Sequence, residues 1–139
     1  MLPNTLNTNE VKNAAGVEVE FSRLSQSDRQ LVFCLATEVP YTPYRITVSH
    51  QETGSGLSRR RRSLVRVDKS IPGQVDATKV EKVSAYAVAD IPVGNLTAVA
   101  EAQNVLANLM SFMATTGSAT TVLFDCSGYG AAALASGTL

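Results

Sequence analysis

The chain has 139 residues, 45% of them hydrophobic and 17% charged, which is enough for one modest core and gives no reason to expect a second domain. Twelve basic and twelve acidic residues cancel, so the whole-chain charge offers no general attraction to polyanions. The longest apolar stretches, Val83 to Val93 and Val105 to Met113, are too short or too interrupted for a membrane span, and the N-terminus lacks a signal pattern; the expectation is an untargeted cytosolic protein with no membrane partner.

In chain order, the first sixteen residues are polar, rich in Asn and without periodicity, which predicts a loose arm over 1–16 closing in a turn at Ala15-Gly16. Val17-Glu18-Val19-Glu20-Phe21 alternates with period two and predicts a strand with one wet face. Ser25 to Asp28 reads as a turn, Leu31 to Ala36 as a short buried strand or helical turn, and Pro40-Tyr41-Thr42-Pro43 as a rigid entry to the next strand. From Tyr44 to Gln51, Arg45, Thr47, Ser49 and Gln51 share one face, and Ile46, Val48 and His50 the other.

Gly54-Ser55-Gly56 supplies a hairpin connection. Beyond it Ser63, Val65 and Val67 face one way, and Arg62, Leu64, Arg66 and Asp68 the other. Ile71 to Thr78, with Pro72, Gly73 and Asp76, is predicted as a loop; Val80 to Ile91 returns as a long strand with Ser84, Tyr86, Val88 and Asp90 opposite Ala85, Ala87, Ala89 and Ile91. Leu96 to about Met113 then changes to helical period, with Val99, Ala102, Leu106, Leu109, Met110 and Met113 as an apolar stripe, Asn95 as N-cap and Gly117 as stop. A short apolar segment, Val122-Leu123-Phe124, follows, and the Ala, Gly and Ser tail over 126–139 carries no pattern. The division is an arm over 1–16, mainly strands over 17–93, helices over 95–125 and a tail. Strands followed by helices predict an α+β domain with one antiparallel sheet and helices on one side.

The balanced charge is unevenly spread. Arg45 to Lys69 holds seven basic residues against two acidic ones, a local +5 matched by −5 elsewhere. A positive stripe inside a neutral chain predicts a polyanion-facing surface, because such a stripe displaces the counterions of a nucleic acid.

Catalytic constellations are missing from the pattern. His50 is the single histidine, so one chain has no pair of imidazoles for a metal and no partner set for a general base. Glu18 and Glu20, two apart, read as an exposed strand face, and no glycine-rich phosphate loop opens a helix. Cys34 and Cys126 lie far apart in apolar surroundings without metal-ligand spacing and are expected to be buried free thiols. The expectation is a non-enzyme with no cofactor and no metal.

Arg45-Ile46-Thr47-Val48-Ser49, the glycine turn, Arg60-Arg61-Arg62-Ser63-Leu64-Val65-Arg66-Val67, then Asp90-Ile91-Pro92 and a helix resemble, in order and spacing, the coat proteins of levivirus-type single-stranded RNA phages. The likeness runs from about Asp28 to Gly117. It implies an N-terminal hairpin, a five-stranded antiparallel sheet and two C-terminal helices exchanged across an obligate dimer whose sheets join edge to edge. It also implies self-assembly into an icosahedral shell, location in the virion after assembly in the host cytoplasm, and binding of the RNA genome and of an operator hairpin on the polar sheet face. The RNA-binding positions so implied are Arg45, Thr47, Ser49, Arg62, Arg66 and Tyr86: arginines for phosphates, hydroxyls for bases, the tyrosine ring for stacking. The Ile71 to Thr78 loop would lie at the symmetry axes between dimers. Leu64 on the polar face, the density of the arginine run and the lack of a cysteine in that loop depart from the family pattern. The alternative is a cellular RNA-binding module that forms no shell, and particle size separates the two.

Overall fold

The computed structural model describes residues 2–95, 100–114 and 126–137. Six strands form one antiparallel sheet in sequence order: β1 (Thr5–Leu6), β2 (Phe21–Gln26), β3 (Gln30–Leu35), β4 (Tyr44–Thr53), β5 (Arg60–Pro72) and β6 (Val80–Ile91). Two helices follow, α1 (Ala100–Met113) and α2 (Tyr129–Ser136). The chain divides into two compact units, one of Met1–Asn7 with Glu20–Thr97, the other of Thr8–Val19 with Ala98–Leu139.

From β2 to β6 each neighbour pair is a hairpin, so contacts there are local and register is set by the alternation of side chains. Phe21, Leu31, Phe33 and Ile46 are the buried apolar residues of its core, with Phe21 and Phe33 each 1% exposed. Burying a side chain of that size contributes about 1.5–3 kcal/mol. The edge of Phe21 meets the face of Tyr44, ring centroids 5.1 Å apart at 80°, the geometry that aromatic quadrupoles favour. Arg23 fastens the N-terminal segment by donating from Nη2 to the carbonyls of Leu2 and Pro3, at 3.0 and 3.1 Å.

The structure corrects several sequence expectations. The sheet has six strands rather than five, because Thr5–Leu6 pairs with the start of β2 instead of remaining a loose arm. The strand placed at Val17 to Phe21 starts only at Phe21. Upstream, the Asn13 N–H donates to the Val17 carbonyl and the Asn13 side chain accepts the Val17 N–H; Lys12 and Glu18 form a single bridge. These bonds use the backbone groups a sheet would need, so the alternating segment closes on itself in a loop of the second unit. The predicted turn from Ser25 moves to 27–29, and Leu31 to Ala36 resolves as strand β3.

The loop assigned to Ile71 to Thr78 shrinks to 73–79, since Ile71 and Pro72 pair with Glu81 and Val80. Pro72 is tolerated because β4 has already ended, its last partner being Lys69, so the missing N–H leaves no ladder bond unmade on that side. Asp76 closes the tip by accepting from the Thr78 N–H and hydroxyl, and Tyr41 Oη donates to the Thr78 carbonyl at 3.1 Å.

In the helical unit α1 packs on α2, which forms inside the segment read as a patternless tail. A Cβ at Gly128 would strike the backbone of Ala114, and one at Gly130 the ring of Phe112; the glycines permit close approach of the two helices. Gly137, left-handed at φ 69°, caps α2 by donating to the Ala133 carbonyl. Cys34 is half-buried and Cys126 exposed, so the expected burial fails for Cys126; both thiols are free. Helix positions 96–99, the Gly117 stop and Val122-Leu123-Phe124 lie outside the described residues.

Candidate nucleic-acid interface

Directly opposed residues of an antiparallel ladder share a face, so the register of β4, β5 and β6 fixes which side chains stand together. Four cross-strand rows make up the polar face: Arg45, Asp68 and Ser84; Thr47, Arg66 and Tyr86; Ser49, Leu64 and Val88; Gln51, Arg62 and Asp90. All six sequence-predicted positions, Arg45, Thr47, Ser49, Arg62, Arg66 and Tyr86, stand on this face. Thr47, Arg66 and Tyr86 fall in a single row about 10 Å wide at the usual strand spacing. Tyr86 is 69% exposed, so its ring is free to stack.

The basic groups differ in how far their charge is already used. Arg45 donates from Nη2 to Glu38 Oε1 at 3.1 Å, while Glu38 Oε2 accepts the Tyr44 N–H at 3.0 Å. The Arg45 bond outweighs partial burial and holds the Glu38 carboxyl below its ordinary value. Arg66 Nε donates to Asp68 Oδ1 at 2.8 Å, and Lys82 Nζ lies 3.4 Å from the same oxygen. Ser84 Oγ also donates to Asp68. Partial burial alone would raise the Asp68 carboxyl, but the bonds from Ser84, Arg66 and Lys82 hold it low. Arg60 pairs with Asp90 at 2.9 Å. Among the described residues Arg59, Arg61 and Arg62 form no ion pair.

Alternation splits the arginine run. Arg60 and Arg62 join the polar face, whereas Arg61 stands opposite Glu52 and Ile91 on the other. There His50 Nδ1 lies 2.9 Å from Ser63 Oγ. Two functional candidates were missed by the sequence reading: Lys82, four residues before Tyr86 and therefore on its face, and Asp68, whose cross-strand partners no local pattern reveals. Among the described residues no group of three or more His, Cys, Asp or Glu forms a metal site, and no helix is long and apolar enough to cross a membrane.

The opposite face is apolar but unevenly covered. Ile46 is buried near the centre of the sheet, while Val65 and Val83, on the same face of β5 and β6, are exposed. Among the described residues strand β6 pairs only with β5 and leaves its other edge open. On α1, Val105, Leu109, Met110 and Phe112 are exposed as well.

No protein-family model and no curated protein matches the chain. Solved structures do. The coat protein of bacteriophage EMS014 aligns with a TM-score of 0.64 at 12% identity, over 87% of this chain and 87% of that one. The virus-like particle of the same phage aligns at 0.59 and 15% identity, over 79% and 76%, and that of Beihai levi-like virus 32 at 0.56 and 19%, over 68% and 75%. At such identities the likeness is one of fold: a meandering antiparallel sheet followed by two helices. The chain has the fold of these phage and levi-like virus coat chains.

Proposed function

We propose that the chain is a non-catalytic capsid subunit that dimerises, assembles into a closed shell in the virion and holds single-stranded RNA on the polar face of its sheet. The observation that carries this reading is the sheet itself, polar and basic on one side, with exposed valines on the other and ending, among the described residues, in a twelve-residue strand whose outer edge has no partner. An open edge of that length invites pairing with another chain, and a two-fold axis beside β6 joins two sheets into one. The exposed apolar side chains of α1 supply what the exposed valines lack, a cover from the partner subunit. The same polar face is the surface for the genome and for an operator hairpin, with Tyr86 stacking and Arg62 on phosphate. The loop over 73–79, whose Val75 is fully exposed, is placed at contacts between dimers.

Electron microscopy of the protein expressed alone tests the reading. Closed shells are expected, and RNA-filled ones should have an absorbance ratio at 260 to 280 nm above that of pure protein. A monodisperse small species free of nucleic acid overturns it, and a small species that binds RNA supports a module without a shell.

A further inference from the structure

The basic polar face contains a carboxylate where a polyanion-binding surface gains nothing from one. Asp68 stands in register between Arg45 on β4 and Ser84 on β6, one row from Tyr86, and its side chain is 20% exposed against 43% for Arg66 and 53% for Lys82. Its Oδ1 takes Arg66 Nε, Lys82 Nζ and the Ser84 hydroxyl together. With Glu38 on Arg45, three cations near Tyr86 meet two carboxylates. Phosphate must therefore compete with a bound carboxylate for Arg66 and Lys82, while Arg62 is open to it.

We infer that Asp68 is a positioning residue that clamps Arg66 and Lys82 beside the Thr47, Arg66 and Tyr86 row and withholds their charge from RNA backbone in general. The clamp rests on the proposed RNA-binding role of this face and adds to it a restraint on non-specific affinity. Holding Arg66 through Nε fixes the guanidinium plane, and the backbone contribution to binding falls as the local charge is neutralised.

The test is binding of a 20-residue uridine oligonucleotide to full-length protein, kept unassembled as checked by light scattering, over a range of salt concentrations. Asp68→Asn is expected to bind several-fold more tightly at low salt and to steepen the slope of log K against log salt by about 0.7 for each further phosphate that the released cations neutralise. Asp68→Glu, which keeps the charge, is expected to return the slope toward the parent value, a rescue that a purely structural role would not predict. An Asp68→Asn slope equal to or shallower than the parent overturns the clamp. Should Asp68→Asn fail to fold, Lys82→Gln decides: a slope loss smaller than that of Arg62→Ala supports the clamp, and an equal loss overturns it. If Arg62→Ala leaves binding unchanged, the RNA-face reading itself fails, which is a separate outcome.

Discussion

Arg62 and Arg66 look alike in the sequence, two arginines four apart on one strand face, and the structure gives them different surroundings. Arg62 has no ion-pair partner among the described residues, whereas Arg66 is held by Asp68. Arg62→Ala is expected to flatten the salt dependence of RNA binding by about 0.7 in slope, and Arg66→Ala by less, because removing it leaves the Asp68 charge to Lys82. Filter binding across salt concentrations measures both, and the reverse order would show that Arg66 faces phosphate directly. Glu38 offers a second residue-scale test. Its carboxyl is held below the ordinary value of 4.5, chiefly by the bond from Arg45. A depressed carboxyl stabilises the fold fully above the unfolded value and loses that contribution as pH falls through the folded one. Glu38→Gln should thus melt below the parent at neutral pH, with the gap closing below about pH 4.5. A gap that persists to pH 3 in thermal melts would assign Glu38 to packing alone.

At the scale of elements, legibility followed the range of the forces involved. The faces of β4, β5 and β6 were readable because strand side chains alternate strictly, so Ile46 and Val48 had to oppose Arg45, Thr47 and Ser49. The same rule misled at Val17 to Phe21, where Asn13 captures the backbone of Val17; only the pairing partners, not the pattern, distinguish a strand from a closed loop. Pro72 suggested a loop until the early end of β4 removed the need for its N–H. Helix α2 was hidden in an Ala, Gly and Ser tail without periodicity, where Gly128 and Gly130 serve close packing on α1. Gly130→Ala should accordingly destabilise the helical unit by about 1–3 kcal/mol through overpacking on Phe112, and Phe112→Leu in the same chain should recover part of the loss. Calorimetry of the single and double variants decides, and a neutral Gly130→Ala would mean that α1 and α2 move apart at little cost.

At the scale of the whole molecule the decisive issue is what covers the apolar surface that one chain leaves open. Val83 is 59% exposed on the apolar face of β6, and Leu109 is 41% exposed on α1. Substitutions at free surface positions ordinarily change stability by no more than about 0.5 kcal/mol. If a second copy buries these positions, a charge placed there must instead be desolvated without a partner, at a cost of several kcal/mol. Val83→Lys and Leu109→Asp therefore separate the two situations without disturbing any side chain that the single chain already packs tightly. Both variants are expected to abolish particles and to shift the protein to monomer or aggregate by analytical ultracentrifugation, since an obligate dimer has little folded monomer in reserve. Each acts on a different half of the proposed interface, the sheet of one subunit and the helix of its partner, so a matched loss would tie the two halves to one contact. Normal shells from Val83→Lys would exclude helix cover over β6, and normal shells from both would mean that these chains assemble through some other surface.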